Sequence, residues 1–308
     1  MNRTGLRAED SGLALVLGAA LLVAAPAFGQ GRIANAKTEA RSAAQGLDRE
    51  VRAVAARGDA AWVGYRVSMV PGPRRICCDD TISNAPPSAG MCRLEGGGGS
   101  SMDTGDIRDR YGTRITLEHP TEFIVFARLE QGVVDRVRTF TPDCDVDATG
   151  IPLVWLNDVK PDESVAWLAS LVAADPGGGD RHDRVGRSAM AALALHNVAS
   201  AVTRLIAAAR DDRRPQVRGQ ALFWLAQRAG QQAVAVITGA IDTDPDTEVK
   251  KKAVFALSQL PKDEGVPRLM EVARNNRNPA VRKQAMFWLG ESRDPRAVTF
   301  FEEILNRK

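Results

Sequence analysis

The C-terminal half of the chain repeats itself with a period of 32 residues, and this periodicity constrains the fold more than any other feature. Valine, alanine and leucine recur at positions i, i+4 and i+8 of each copy. These positions are Val185, Val217, Val249 and Val281, then Ala189, Ala221, Ala253 and Ala285, then Leu193, Leu225, Leu257 and Leu289. Because residues four apart lie on one face of an α-helix, each copy is predicted to contain an amphipathic helix.

A second helix follows in each period. Its apolar pairs, three residues apart, are Val202 and Leu205, Val234 and Ile237, Val266 and Leu269, and Val298 and Phe301. Pro215, Pro245 and Pro279 separate the helices. Two-helix units of this kind bury their apolar faces only by stacking, so residues 160–308 are predicted to form an all-α helical solenoid. The helices are expected to start near Lys160, where acidic residues open the first amphipathic stretch.

Three segments of this half resemble a known family. RRPQVRGQALFWLAQ, PDTEVKKKAVFALSQL and NPAVRKQAMFWLGESRDPRAVTFFEEIL are similar to HEAT repeats of the short, phycobilisome-lyase-like type, whose units carry a D-P-x-V-R-x-x-A-x-x-x-L core. The resemblance covers about half the chain and implies an α-solenoid, a fold that serves scaffolds, adaptors and enzyme subunits alike. The first half resembles the N-terminal region of secreted bacterial HEAT-repeat proteins.

The N-terminus has the composition of a secretory signal peptide. Arg3 and Arg7 precede an apolar stretch over 13–25, and small residues follow up to Gly29. Thirteen apolar residues span only about 20 Å as a helix, less than the roughly 30 Å of a bilayer core. Residues 1–29 are therefore predicted to be cleaved after Ala27 or Gly29, with export to the periplasm or the outside. An uncleaved anchor or a buried helix is the alternative.

The remainder of the first half is predicted to give the fold its β part, so the class is α+β. Residues 30–58 are predicted to be a helical lead-in, as one amphipathic helix over 33–57. Residues 59–159 are predicted to be a small strand-rich domain. Its strands are expected at Trp62–Val70, Thr113–Glu118, Glu122–Leu129 and Val133–Thr139, with a hairpin between the last two and a short apolar segment at Pro152–Leu156. A long irregular loop is expected over 79–105.

All four cysteines lie in this domain, which predicts disulfides in an exported protein. They are Cys77, Cys78, Cys92 and Cys144. A bridge between the two neighbours would be strained, so Cys92 is expected to join one of them and Cys144 the other. A metal site is the competing interpretation, but the spacing gives no CxxC pair and the three histidines are scattered.

Two sets of repeat residues are candidates for partner binding: Arg218, Lys250, Lys251, Arg282 and Lys283, and the tryptophans Trp224 and Trp288. In the family that the repeats resemble, basic ladders hold successive units together, and an anion-binding stripe is the functional alternative. The tryptophans fit either the interior or, on the concave face, the anchors of an interface.

No motif predicts catalysis, a cofactor or a metal. No Ser or Cys stands in a strained glycine turn with a plausible His, and no Lys follows Gly96–Gly99 to complete a phosphate-binding loop. The alternating Asp143, Asp145 and Asp147 lack the glycine and glutamate of a calcium loop. The net charge of +3, from 41 basic and 38 acidic residues, also gives no strong field for nucleic acid or acidic membrane.

The favoured function is a non-catalytic, extracytoplasmic scaffold or adaptor that binds a protein through its repeat surface. A lyase or chaperone-type accessory protein that handles a ligand or chromophore is the alternative, and it would need a ligand-sized pocket or a reactive thiol. Nucleic-acid binding through the basic ladder is disfavoured by the export signal and the near-neutral charge. Stable membrane insertion is not expected after cleavage of the signal.

Overall fold

The computed structural model describes residues 32–72, 75–78, 91–95, 100–103, 119–174, 182–228 and 231–306. The predicted signal peptide and the predicted strand Thr113–Glu118 lie outside these ranges, as does most of the loop over 79–105. Ten strands are described: β1 (Ile33–Ala34), β2 (Thr38–Ser42), β3 (Ala61–Ser68), β4 (Arg75–Cys78), β5 (Met91–Arg93), β6 (Ser100–Asp103), β7 (Glu122–Glu130), β8 (Val133–Phe140), β9 (Asp145–Asp147) and β10 (Leu153–Asn157).

The central sheet has five strands in the order β2-β10-β3-β7-β8. The pairs β2–β10 and β10–β3 are parallel, and the pairs β3–β7 and β7–β8 are antiparallel. A small parallel sheet, β1-β9-β5, and an antiparallel pair, β4-β6, complete the β part. The predicted hairpin is confirmed: β7 and β8 are joined by Gln131 and Gly132, whose φ angles of 52° and 80° are those of a type I′ turn.

The predicted lead-in helix over 33–57 is wrong in its first half. Residues 33–34 and 38–42 are the strands β1 and β2, and only Leu47–Ala55 is helical, as α1. The side chains of β2 are mostly exposed, so its sequence carries no apolar alternation. Its conformation is set by the main-chain ladder with the buried strand β10, and tertiary pairing overrides helix propensity. The loop expected over 79–105 likewise contains β5 and β6, and β5 pairs with β9.

The rest of the chain is helical, as predicted, with one helix starting at Pro161. The helices are α2 (Pro161–Ala174), α3 (His182–Leu195), α4 (Ala199–Asp211), α5 (Pro215–Arg228), α6 (Gln231–Thr243), α7 (Thr247–Ser258), α8 (Lys262–Asn275), α9 (Pro279–Glu291) and α10 (Pro295–Leu305). All twelve residues of the valine, alanine and leucine series are buried. The α+β class with a helical repeat part is therefore confirmed.

One residue of the predicted apolar face is exposed. Val298 is 60% exposed, whereas its equivalents Val234 and Val266 are 6% and 3% exposed. Val298 lies on α10, the last helix of the described array, and no described helix follows to cover it. The 32-residue pattern predicts the helix correctly, but the burial of that face depends on a next unit.

The boundary near Lys160 separates the strand-rich part from the helical part in the sequence, but the hydrophobic core is continuous across it. One continuous hydrophobic cluster contains Val63 and Val67 of the sheet together with Leu168 of α2 and Leu193 of α3. Helix α3 also packs against β8, and the amide of Val70 donates to the carbonyl of Leu195 over 2.9 Å. The sheet therefore covers the first helices of the array.

A close approach between α8 and the end of α7 predicts an unusual glycine effect. A Cβ atom on Gly265 would lie 2.5 Å from the carbonyl oxygen of Leu257, which is backbone and cannot rotate away. We expect Gly265→Ala to lower the free energy of unfolding by about 1–3 kcal/mol, in spite of alanine's higher helix propensity. Urea denaturation measures this loss of stability.

Gly239→Ala in α6 is the matched control, because a Cβ atom at that position meets nothing within 4 Å. The expected change is a gain in stability of about 0.5–1 kcal/mol. Equal effects of both changes would contradict the close contact.

Candidate functional site on the inner helices

The helices of the array form two layers, which we call inner (α3, α5, α7 and α9) and outer (α2, α4, α6, α8 and α10). Along the stack, α5 packs closely on α7 and α7 on α9, whereas the outer helices contact one another much less. In a curved stack, the layer with the closer contacts lies on the inside of the curve. The inner helices therefore line the concave side.

The inner helices carry an aromatic residue at the same position in three successive repeats: Phe223, Phe255 and Phe287. The rings of Phe223 and Phe255 stack with centroids 5.9 Å apart and planes inclined by only 2°. Phe287 is 54% exposed, although it is a large apolar side chain. We call these three residues, together with Trp224 and Trp288, the aromatic stripe. It crosses α5, α7 and α9 and joins one repeat to the next.

The two tryptophans, predicted as candidates for an interface, lie at the base of this stripe. Both are half-buried and pack against the core, and the rings of Phe255 and Trp288 are 4.8 Å apart. The Trp288 Nε1 atom is buried without a hydrogen-bond partner in the described residues. The phenylalanines were not among the residues predicted to bind a partner, although their recurrence at the 32-residue period was the signal that could have identified them.

Arg218, predicted as a candidate for partner binding, is buried. It is 6% exposed, and its guanidinium donates two hydrogen bonds, of 2.7 and 2.9 Å, to the carboxylate of Asp244. A further nitrogen donates to the carbonyl of Asp212 over 2.9 Å. Burial would raise the pKa of Asp244, but hydrogen bonds from Arg218 and the amide of Asp246 outweigh it and hold the pKa below its usual value. Arg218 thus joins α5 to the turn before α7.

Lys250 and Arg282 occupy the equivalent places in the next two repeats. Lys250 Nζ donates to the carbonyl of Asp242 over 2.8 Å, and Arg282 donates to the carbonyl of Asn276 over 2.8 Å. Each side chain therefore donates a hydrogen bond to a carbonyl group at the end of the preceding outer helix, where the last carbonyl groups have no partner within the helix. This geometry supports the structural interpretation of the basic ladder rather than the anion-binding one.

The remaining basic candidates do lie at the surface. Lys251 is half-buried and contacts the carboxylate of Glu248 over 3.0 Å, and Lys283 is exposed. Lys252 is also exposed, and its side chain extends over Gly219 of α5. We call Lys251, Lys252 and Lys283 the basic edge, because they lie one helical turn N-terminal to the phenylalanines of the stripe.

A buried polar network links the sheet to the helices. Tyr65 of β3, Ser164 of α2 and His196 after α3 are all fully buried, and Ser164 Oγ lies 2.8 Å from both Tyr65 Oη and His196 Nε2. His196 Nδ1 donates to the carbonyl of Ala192 over 2.9 Å, which leaves Nε2 to accept from Ser164. Burial lowers the pKa of His196 to about 4. Residues 99 and 32 positions apart meet here, so sequence spacing could not have revealed the cluster.

This network contains a serine beside a histidine but is not arranged for catalysis. None of its three side chains reaches solvent, so no substrate can contact the serine oxygen. Each polar atom has a partner within the network or on the backbone, as expected of a structural cluster. Its position between β3, α2 and the end of α3 fixes the sheet on the first helices of the array.

The cysteines join separate segments of the β part. Cys77 of β4 is bonded to Cys144, at the turn before β9, and Cys92 of β5 is also disulfide-bonded. Cys144 thus joins one of the two neighbouring cysteines, an arrangement that the sequence had left open. Among the described residues, the group that could hold a metal by proximity is Cys77, Asp143 and Cys144, but both of its sulfur atoms belong to the disulfide.

Comparison with known proteins agrees with this geometry. The model of the HEAT-repeat family matches residues 178–258, 202–274 and 239–308 in three overlapping windows. The C-terminal part of the chain therefore contains HEAT repeats, as the 32-residue pattern predicted. No curated protein sequence matches the chain.

Among solved structures, the chain is similar to the complex of CpcE and CpcF of phycocyanin lyase from Nostoc sp. PCC7120. The similarity covers 47% of this chain and 91% of that chain, with 20% sequence identity and a TM-score of 0.36. Over the part of the chain that the structure describes, no helix is both long and apolar enough to cross a membrane.

Proposed function

We propose that this protein is a non-catalytic, extracytoplasmic scaffold or adaptor that binds a protein partner on the aromatic stripe. The observation that carries the proposal is the exposure of Phe287 at the end of a row of aromatic rings that contact one another on the concave side. Large aromatic residues at a concave, partly desolvated surface are the typical anchors of protein interfaces. HEAT repeats offer such surfaces without needing a catalytic centre.

The described chemistry favours binding over catalysis. The serine–histidine contact is sealed from solvent, and Cys77, Cys92 and Cys144 are held in disulfides rather than available as reactive thiols. A lyase-type accessory role for this chain would need a thiol or an open ligand site in their place.

The proposed extracytoplasmic location predicts the mass of the mature protein and the reactivity of its thiols. Intact-mass measurement of the secreted, non-reduced protein should reveal loss of the first 27 or 29 residues, because the apolar segment is followed by small residues that suit cleavage. No thiol should react with a labelling reagent until a reductant is added. A retained leader, together with thiols that react with the label before reduction, would contradict the extracytoplasmic location.

The binding surface can be tested by the size of the native complex. Wild-type protein extracted from the envelope of its own host is expected to elute in gel filtration as a species larger than the monomer. Phe287→Ser should shift most of it to the monomer position, because the change removes an exposed aromatic anchor without touching the core. Val298→Ser is the matched control, since Val298 is equally exposed but lies on an outer helix. A complex that survives Phe287→Ser unchanged would refute the proposed surface.

A further inference from the structure

We propose that the segment which occupies the aromatic stripe is an extended acidic peptide of the partner, with an apolar side chain at about every third residue. The inference rests on the proposed function, because it uses the same surface. It adds the chemistry and the conformation of the partner segment, which follow from the charge beside the stripe and from the spacing of the repeats.

On α7 and α9, positive charge lies at one edge of the stripe. The stretches 247–256 and 279–290 contain Lys250, Lys251, Lys252, Arg282 and Lys283, with Glu248 as their one carboxylate. At the other edge, one turn C-terminal to the phenylalanines, the equivalent positions are Gln227, Gln259 and Glu291. A bound chain therefore meets cations along one side of the stripe, and opposite charge on the ligand is the complementary arrangement.

Each phenylalanine of the stripe has a cation one helical turn away. Lys251 precedes Phe255 by four residues, and Lys283 precedes Phe287 by four, so each pair lies on one helix face. The equivalent position before Phe223 is Gly219, which carries no side chain. Lys252 of the next helix extends over this glycine: a Cβ atom there would lie only 2.3 Å from Lys252 Cδ. The absence of a side chain at Gly219 thus lets Lys252 supply the cation for the first phenylalanine.

The repeat spacing sets the period of the ligand. Packed helices are about 8–10 Å apart, and an extended peptide advances about 3.3 Å per residue. A peptide that crosses α5, α7 and α9 along the stripe therefore meets one phenylalanine at about every third residue. A cavity of about 220 Å³ lies at the C-terminal ends of α7 and α9, where it is lined by Leu257, Leu269 and Trp288, and it can take an apolar side chain.

Single-stranded nucleic acid is also anionic and stacks on aromatic rings, but the ring geometry favours a peptide. Phe223 and Phe255 stack on each other, and Phe255 also contacts Trp288, so their faces are occupied by protein. Phe223 and Phe255 are half-buried and Phe287 is exposed, so the stripe offers apolar side chains to contact rather than free ring faces between which bases can stack.

The test uses the mature protein and four fluorescent probes in anisotropy titrations. The first probe is a peptide of four Asp-Phe-Ser copies. The second has Lys in place of Asp, the third has Gly in place of Phe, and the fourth is an oligothymidine of the same length. We expect the Asp-Phe-Ser peptide to bind at least about tenfold more tightly than each of the others, which corresponds to about 1.4 kcal/mol, and to weaken as salt is added.

Variants then locate the site. Lys252→Glu combined with Lys283→Glu is expected to weaken the Asp-Phe-Ser peptide about tenfold or more, and Phe287→Ser to do the same. Arg204→Glu and Val298→Ser, both at exposed outer-helix positions, should leave binding unchanged. Equal binding of the Lys-Phe-Ser peptide, preference for the oligothymidine, or indifference to the lysine changes would overturn the inference. If those results came with a native complex that still depends on Phe287, the proposed function would stand and only the acidic partner would be wrong.

Discussion

Replacement of Arg218 by alanine is expected to lower the free energy of unfolding by about 3–5 kcal/mol. The change leaves the buried carboxylate of Asp244 without its cation and removes the donor to the carbonyl of Asp212. Without Arg218, the carboxylate of Asp244 is still removed from water but no longer has an ion-pair partner. The loss of stability is therefore larger than the net contribution of the ion pair in the wild type. Urea denaturation followed by circular dichroism measures the loss.

Arg282→Ala is the matched control for this prediction. Arg282 has the same position in its repeat and donates to the carbonyls of Asn276 and Arg277, as Arg218 does to those of Asp212 and Arg213. Among the described residues, however, no ion pair joins Arg282 to a carboxylate. A loss of about 1–2 kcal/mol is expected. The double variant Arg218→Ala with Asp244→Ala should cost less than the sum of its single changes, because no buried charge remains. Equal losses for Arg218→Ala and Arg282→Ala would mean that the buried ion pair contributes nothing specific.

The stability of the protein is expected to fall by about 3 kcal/mol between pH 7 and pH 4 because of His196. Burial holds the pKa of the folded His196 at about 4, whereas the unfolded chain titrates near 6.5. Between these values the unfolded state binds a proton that the folded state does not bind. The stabilisation is therefore complete above about pH 6.5 and is lost as the pH falls towards 4. Arg228 lowers this pKa further and Asp162 opposes it, and both effects are smaller than that of burial.

Thermal or urea unfolding across this pH range tests the assignment. His196→Gln should be less stable than wild type at pH 7, and its stability should vary little between pH 6.5 and pH 5. His119→Gln is the control for the loss of a histidine, since His119 is exposed. The carboxyl groups with lowered pKa, such as Asp244, begin to bind protons in the unfolded chain below about pH 5, so the slope above pH 5 is the part that assigns the effect to His196. A wild-type slope that persists in His196→Gln would assign the effect to another group.

The sequence predicted the helical half well because its information is local and repeated. Valine, alanine and leucine at i, i+4 and i+8 define a buried face in every copy, so helix positions and core followed directly. The same logic did not extend to Val298, whose exposure depends on whether another unit is stacked on α10. It also did not extend to β2, an exposed edge strand whose conformation comes from its partner β10.

The candidate site was predicted in part. Lys251, Lys283, Trp224 and Trp288 lie on or beside the stripe, but Arg218 has a buried structural role that its spacing alone could not separate from binding. Lys252 lies beside the stripe because Gly219 has no side chain to block it. This contact joins α5 and α7, which are 32 residues apart in the sequence. The Tyr65–Ser164–His196 network also depends on tertiary proximity, which no local pattern encodes.

The most direct test of the central claim is photo-crosslinking in the native cell from one inner and one outer position. A photoreactive benzophenone amino acid replaces Phe287 in one variant and Val298 in the other, two apolar residues that are 54% and 60% exposed on neighbouring helices. If the concave side binds the partner, position 287 yields a discrete protein adduct and position 298 yields none. Adducts from position 298 alone, or the same adducts from both positions, would contradict a binding surface on the inner helices.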